Sequence, residues 1–339
     1  MASEGREFRP GQRPGSPEFA RALRDAEILT APHVSEELRG QLLDVFAAFS
    51  GRRQPERQQK APEPMPAEAG ADRPIVFVGA GLPADLRAAN VLWFHSTNAG
   101  VDGVLAEGDW PADILFTRTV GAMDRRIAEY TLTWMLADCQ AVTGYTDQQR
   151  ARVWKRQPVR LLQGETAVVF GAGAIGRAVG RLLKAFGMRT IAVATSERES
   201  ADFDRVVTHD DIAKVVPEAR WLISTLPLTP QTRDLFDGKL FASAEDACFI
   251  NVGRGATVNL PALHDALTAG RVRSAVLDVL ADEPAGPEHP CWNLPRTVIT
   301  PHTAGVSADS DIRDDFAACL AAVQAGRTPE RAVDPGRGY

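Results

Sequence analysis

This sequence is poor in cysteine, in long apolar runs and in positive charge. It has four cysteines in 339 residues, with no CxxC pair, which excludes a disulfide framework and a cysteine-based zinc site. We therefore expect no metal and a reducing, cytoplasmic location. No apolar run reaches the roughly 18 residues of a membrane span, and the N-terminus has no signal-peptide core. A net charge of −6 argues against a nucleic-acid partner, because phosphate binding needs a basic surface.

Composition divides the chain into segments of different character. Residues 1–24 are polar without periodicity and are expected to form an N-terminal extension. A strand and a helix capped by Ser35 follow. Residues 50–74 contain five prolines and almost no apolar side chains, which is typical of a linker or a disordered loop.

The remainder alternates short apolar strands with helical stretches. This alternation predicts βαβ units and parallel sheets in an α/β fold. We place one domain at 25–123 with 307–339, and a dinucleotide-binding domain at 124–306. The segment 124–142 is a candidate interdomain helix, and the final helix is predicted to run from a Ser307 N-cap to Gly326.

The stretch "VVFGAGAIGRAVG" has the spacing of a phosphate-binding turn. It follows an apolar strand and opens a helix, so the glycines allow close approach of a pyrophosphate to the helix N-terminus. The predicted cofactor-binding residues of this turn are Gly171, Gly173, Ala174, Ile175 and Gly176.

A ribose-binding acid is missing at the end of the next strand. The position where it is expected falls at Ala194, so nothing there repels a 2′-phosphate. Thr195, Ser196 and Arg198 can donate to such a phosphate, and we expect NADP rather than NAD. Alternatively, Glu197 folds back as a displaced acid and NAD is the cofactor.

Three polar groups follow apolar strands in the order Arg254, Glu283 and His302, separated by 29 and 19 residues. Reduction of a 2-oxo acid requires a proton donor, a cation for the carboxylate and a group that stabilises the charged donor. Imidazole suits the first role, a forked guanidinium the second and a carboxylate beside the imidazole the third. These residues are therefore candidates for a catalytic set.

With "NVGRG", "LADEP" and "PHTAG" behind the glycine turn, the sequence resembles the D-isomer-specific 2-hydroxyacid dehydrogenases over roughly residues 75–339. The resemblance implies a Rossmann dinucleotide-binding domain plus a smaller flavodoxin-like α/β substrate domain, whose second strand is expected where 50–74 lies. It assigns the acid/base role to His302, its partner role to Glu283 and substrate binding to Arg254. The loop "STNAGVD" is implied to bind the substrate carboxylate through backbone N–H groups at Asn98, Ala99 and Gly100. Further cofactor contacts are implied at Leu226, Pro227, Thr232, Val252 and Asp278.

The function expected from these features is NAD(P)-dependent reduction of a small 2-oxo acid, glyoxylate- or hydroxypyruvate-like, to the D-2-hydroxy acid. The resemblance also implies a homodimer. An alternative function is that of a dinucleotide-binding regulatory or scaffold protein, similar to a corepressor, with little turnover; residues 1–24 and 50–74 would then bind its protein partners.

Overall fold

A computed structural model describes residues 16–51, 73–87, 90–106, 108 and 110–335. The chain divides into two compact units, Met1–Ala122 with Ser307–Tyr339, and Met123–Val306. The chain crosses between the units at 122/123 and at 306/307. Most of the segment 50–74, with the strand expected there, lies outside the described residues.

The first unit is built on a four-stranded parallel sheet in the order β1-β2-β3-β4. Its strands are β1 (Glu27–Thr30), β2 (Ile75–Gly79), β3 (Val91–Ser96) and β4 (Leu115–Arg118). Its helices are α1 (Pro17–Asp25), α2 (Glu36–Ser50), α3 (Ala84–Arg87), α4 (Asp102–Ala106) and α11 (Asp309–Gln324), the last being numbered by chain order. Strands β2 and β3 are buried along their whole length, as expected when helices cover both faces of a parallel sheet.

Helix α2 begins and ends where local chemistry dictates. The Ser35 hydroxyl accepts a hydrogen bond from Leu38 N at 3.0 Å, which confirms the predicted N-cap. Leu38, Leu42 and Phe46 face the core at helical spacing. The helix ends at Gly51, whose φ of 71° is left-handed and suits glycine.

The ends of this unit differ in detail from the expected elements. Within the N-terminal extension expected at 1–24, residues 17–24 belong to α1, because Ser16 caps this helix and Phe19 and Leu23 are fully buried. The last helix is capped at Ala308 instead of Ser307. The Asp311 carboxylate accepts from Ala308 N at 2.8 Å, so a side chain inside the first turn satisfies the N-cap amide.

The second unit contains a seven-stranded parallel sheet in the order β11-β10-β9-β8-β5-β6-β7. Its strands are β5 (Thr166–Phe170), β6 (Arg189–Val193), β7 (Arg205–Val207), β8 (Trp221–Ser224), β9 (Ala247–Asn251), β10 (Val272–Leu277) and β11 (Thr297–Ile299). Its helices are α5 (Met123–Cys139), α6 (Val142–Arg150), α7 (Ala174–Ala185), α8 (Ile212–Val215), α9 (Gly238–Ala242) and α10 (Leu260–Thr268). Short 3-10 helices lie at His209–Asp211, Val216–Glu218, Gly255–Thr257 and Pro290–Asn293.

Alternate residues of β5 pack into different cores. Val168 and Phe170 belong to one apolar cluster, whereas Ala167 and Val169 belong to another. This division follows from the two-residue period of a strand and shows that both faces of the sheet are covered. The three-residue edge strand β7 has too few residues for its period to be recognised in the sequence.

No helix among the described residues is long and apolar enough to cross a membrane.

Candidate active site

The glycine turn lies between β5 and α7. Gly171 follows β5 with a φ of 103°, a conformation that glycine adopts without strain. Gly173 is the N-cap of α7, and a Cβ built on it meets no atom within 4 Å. A Cβ on Gly176 would overlap the carbonyl group of Gly171. The turn therefore offers a helix N-terminus that is open at Gly173, which fits the pyrophosphate of a dinucleotide.

The end of β6 carries the residues that the sequence assigns to the adenosine ribose. Ala194 is buried and its N–H donates to Val207 O at 2.9 Å, while Thr195 and Ser196 are exposed. The Arg198 guanidinium Nη2 donates to Ala172 O at 3.1 Å. Arg198 thus reaches from the loop after β6 to the glycine turn, so a cation lies beside the phosphate-binding backbone.

The predicted cofactor-edge loop packs against the end of β9. Thr232 Oγ1 donates to Pro227 O at 2.7 Å and closes this loop. Leu226 and Val252 are both buried. A Cβ on Gly253 would lie 2.7 Å from Leu226 N, so the absence of a side chain there allows the two backbones to meet.

Arg254 follows directly in the loop after β9. Its carbonyl accepts hydrogen bonds from Asn251 Nδ2 at 3.1 Å and Thr257 Oγ1 at 2.6 Å, and Asn251 is fully buried. The guanidinium Nη1 donates to Gly253 O at 3.0 Å. The buried side-chain amide of Asn251 therefore holds the backbone of Arg254 in place.

Asp278 lies at the end of β10 and is 2% exposed. Its Oδ1 accepts from Thr300 Oγ1 at 2.6 Å and from Thr303 N at 2.8 Å, and its Oδ2 accepts from Ala304 N at 2.9 Å. The structure therefore gives Asp278 a role that sequence reasoning missed: its carboxylate holds the loop after β11.

That loop carries His302, whose φ of 54° is unusual for a residue with a side chain. The His302 N–H donates to Asp278 O at 2.9 Å and to Thr300 O at 3.0 Å. Because strained backbone persists only where its surroundings fix it, the bonds to Asp278 on both sides of His302 maintain this conformation.

The imidazole of His302 pairs with Glu283 through a 2.7 Å contact between Nδ1 and Oε2. The other carboxylate oxygen, Oε1, accepts from Leu280 N at 2.7 Å, so the carboxylate itself is oriented. The His302 side chain is 54% exposed. With Nδ1 directed at a carboxylate, Nε2 is the atom of this ring that is suited to proton exchange with a substrate.

A hydroxyl from helix α5 reaches the same network. Tyr130 Oη lies 2.6 Å from Thr300 Oγ1, and Thr300 gives its single proton to Asp278, so Tyr130 is the donor. Burial raises the pKa of Tyr130 to about 12, which keeps this donor protonated. The position of Thr300 just before "PH" was the only sequence signal for this network.

The loop "STNAGVD" lies in the first unit, after β3. The Asn98 N–H donates to Ser96 Oγ at 3.1 Å, and Ala99 O accepts from Arg118 Nη1 at 3.1 Å. The first of the three predicted substrate-binding amides is therefore engaged within the loop itself.

The carboxyl ends of β5, β8, β9, β10 and β11 bring the glycine turn, Arg254, Asp278 and the loop of His302 to one edge of the second sheet. In the part of the chain that the structure describes, no group of three or more His, Cys, Asp or Glu is placed to hold a metal ion. A phosphate-binding turn on a doubly wound sheet, together with an oriented histidine and carboxylate, defines a nicotinamide-dependent dehydrogenase.

Comparison with known proteins agrees with this class. Residues 132–304 match the model of the D-isomer specific 2-hydroxyacid dehydrogenase NAD-binding domain. The chain is 50% identical over 276 residues to an uncharacterised Streptomyces coelicolor protein, covering 80% of this chain and 99% of that one. It is 30% identical over 304 residues to glyoxylate/hydroxypyruvate reductase A of Serratia proteamaculans, covering 87% and 96%.

Solved structures give the same result. A D-isomer specific 2-hydroxyacid dehydrogenase family protein from Aeromonas salmonicida superposes with a TM-score of 0.78 at 27% identity, covering 92% of this chain and 99% of that one. An NADPH-dependent glyoxylate/hydroxypyruvate reductase from Sinorhizobium meliloti, in complex with NADP and sulfate, superposes with a TM-score of 0.73 at 25% sequence identity. The match covers 93% of this chain and 100% of that one. The chain belongs to the D-isomer specific 2-hydroxyacid dehydrogenase family, and it is an NAD(P)-dependent oxidoreductase.

Proposed function

We propose that this enzyme reduces a small 2-oxo acid to the D-2-hydroxy acid with His302 as the acid/base. The observation that carries the proposal is the 2.7 Å pair between His302 Nδ1 and Glu283 Oε2, on a backbone held by Asp278. Relatives that are named glyoxylate/hydroxypyruvate reductase support glyoxylate or hydroxypyruvate as the substrate.

The chain's own residues can carry every proton and charge that the reaction needs. When bound, NAD(P)H supplies the hydride that reaches C2 of the oxo acid. His302 Nε2–H donates its proton to the C2 oxygen, and the electron pair of the C=O bond becomes the new O–H bond. Glu283 stabilises the imidazolium that precedes this transfer. Arg254 pairs with the substrate carboxylate and polarises the carbonyl. In the first unit, the amides of Ala99 and Gly100 are the proposed carboxylate-binding groups, since the Asn98 amide already donates to Ser96 Oγ.

The preferred cofactor in this proposal is NADP. A 2′-phosphate would be accepted beside Ala194, where a ribose-binding acid is missing. The 3.1 Å bond from Arg198 to Ala172 O supports this preference, because it brings a permanent cation to the glycine turn. The hydroxyls of Thr195 and Ser196 are exposed on the same loop and can donate to the phosphate.

We also propose that the enzyme is a homodimer. Large apolar side chains that follow α6 are exposed in the second unit: Val153 (50%), Trp154 (103%), Val159 (55%) and Leu161 (71%). These side chains lie close together in the sequence, and exposed apolar groups of this kind favour a covering surface. Replacing Trp154 with Glu is expected to convert the dimer to monomer in sedimentation velocity. Val306→Glu, at an exposed apolar residue far from Trp154 in the sequence, should leave the mass unchanged.

We also propose that the enzyme is located in a reducing compartment such as the cytoplasm. All four cysteines are buried free thiols. Burial raises the pKa of Cys248 and of Cys319 to about 12, so both stay protonated and resist disulfide exchange. Fractionation of the source cells checks this location.

The experiment that tests the function is a set of initial rates with NADPH and NADH across a panel of 2-oxo acids, followed by loss of reduced-nicotinamide absorbance. Turnover of glyoxylate or hydroxypyruvate that favours NADPH supports both the substrate and the cofactor. Cofactor binding without turnover of any acid would overturn the proposal and favour a regulatory protein.

A further inference from the structure

A buried histidine stands directly before the substrate loop in the first unit. His95 is the fifth residue of β3 and is 0% exposed. Its ring contacts two threonine hydroxyls, with Nδ1 at 2.7 Å from Thr117 Oγ1 and Nε2 at 3.1 Å from Thr119 Oγ1. The proposed mechanism uses none of these three side chains.

The hydrogen bonds around His95 determine which ring nitrogen carries the proton. The Thr119 hydroxyl donates its only proton to Ser96 O at 2.9 Å, so it can only accept from the ring, and His95 Nε2 must carry a hydrogen. Burial lowers the pKa of His95 to about 3, although the charge of Asp315 opposes this shift. The ring is therefore neutral, Nδ1 is an acceptor, and Thr117 donates to it.

The result is a chain of hydrogen bonds in which each group donates to the next one. Trp93 Nε1 donates to Thr117 Oγ1 at 2.7 Å, Thr117 donates to His95, His95 donates to Thr119, and Thr119 donates to the Ser96 carbonyl. The Thr119 N–H also donates to Ser96 O at 2.9 Å. Both lone pairs of this carbonyl are therefore used by a single residue that His95 orients.

Ser96 is where the substrate loop begins. Its Oγ accepts the Asn98 N–H at 3.1 Å, so rotation of the Ser96 peptide would turn the following amides. Helix α11 fixes the other side of the network, since Asp315 Oδ2 accepts from Val120 N at 2.7 Å and from Gly121 N at 2.8 Å. The segment that carries Thr119, directly after β4, is therefore held by the Ser96 carbonyl on one side and by Asp315 of α11 on the other.

We propose that His95 is a positioning residue for substrate: as its neutral Nε2–H tautomer it orients Thr119, which holds the Ser96 carbonyl and so aims the amides of Ala99 and Gly100 in the substrate loop at the substrate carboxylate. This inference rests on the proposed function, because it takes that loop as the carboxylate-binding element. His95 itself does not touch substrate.

The test compares variants in which the chain is interrupted at one bond. Thr119→Val removes the hydroxyl and keeps the shape, Thr119→Ser restores the hydroxyl, and His95→Gln replaces the ring. Thr131→Val is the matched control, because Thr131 is equally buried but its hydroxyl donates only to Ile127 O in its own helix.

The affinity for a carboxylate is measured by titrating oxamate calorimetrically into the enzyme with NADP, and KM and kcat are measured with glyoxylate. We expect Thr119→Val and His95→Gln to weaken oxamate binding and raise KM about fivefold, the size expected for one hydrogen bond. In these two variants the affinity for NADP and kcat at saturation should change less than twofold. In Thr119→Ser and Thr131→Val, oxamate affinity and KM should also change less than twofold. Oxamate affinity in Thr119→Val equal to that of wild type would overturn the inference, as would a loss of active enzyme with unchanged KM.

A second measurement does not depend on turnover. Nitrogen-15 histidine spectra should show His95 as the neutral Nε2–H tautomer throughout pH 5–8, and an Nδ1–H tautomer or a titration in this range would overturn the inference. If wild type binds oxamate but reduces no 2-oxo acid, the proposed function fails while the Thr119 comparison still tests His95.

Discussion

Replacing Asp278 with Asn tests whether a buried carboxylate holds the histidine loop. Its two oxygens accept three hydrogen bonds, two at Oδ1 and one at Oδ2. An asparagine keeps the most bonds with its oxygen at the Oδ1 position. Its NH2 group then faces the Ala304 N–H, and Ala304 is 5% exposed.

The expected cost follows from this geometry. One charge-assisted bond is lost, and the Ala304 N–H and the new NH2 group are both left without an acceptor, which together cost about 2–3 kcal/mol of unfolding free energy. For a domain of this size, that loss lowers the melting temperature by roughly 4–10 °C. The left-handed backbone at His302 is then less firmly held, so kcat should fall while the variant still folds.

Differential scanning calorimetry and steady-state rates measure both effects. Asp314→Asn serves as the control, because Asp314 is exposed and its carboxylate pairs with Arg313 beside it; a change of less than about 0.5 kcal/mol is expected there. If Asp278→Asn melted within one degree of wild type, with the same kcat, Asp278 would not hold this loop.

Three further predictions concern single side chains. Replacing His302 with Gln should lower kcat by roughly a thousandfold, as expected for loss of a general acid, and leave NADPH affinity by fluorescence titration unchanged; a near-normal rate would contradict its role. Arg198→Ala should raise KM for NADPH about tenfold, the effect of losing one charged contact, but not KM for NADH, whereas Arg205→Ala on the neighbouring edge strand should change neither. Burial raises the pKa of Asp138, but the charge and hydrogen bond of Arg273, the charge of Arg160 and the hydrogen bond of Ser274 together outweigh burial and hold that pKa below its usual value. The Asp138 carboxylate therefore contributes its full stabilisation above its unfolded pKa of about 3.9. This stabilisation is lost as the pH falls through the lower pKa of the folded state. The melting temperatures of wild type and Asp138→Asn should accordingly converge as the pH is lowered below about 4.

The fold was largely predictable because its signals are local. A buried parallel strand is a short apolar run, and the glycine spacing between β5 and α7 identified the phosphate-binding turn without any tertiary contact. The capping chemistry of α2 at Ser35 was equally readable. Helix α1 was not predicted, because distant packing stabilises it, and the start of α11 was predicted wrongly, because a side chain inside the first turn determines it.

The sequence by itself determined the class of enzyme and the residue types of the candidate site, because residues at the ends of successive parallel strands share one edge of the sheet. Only the tertiary structure showed how these residues are held. Tyr130 and Thr300 are 170 positions apart, and Asp278 lies 24 positions from His302, so no local pattern predicts that they share hydrogen bonds. The same is true of His95, whose tautomer depends on which hydroxyls of a neighbouring strand the fold presses against it.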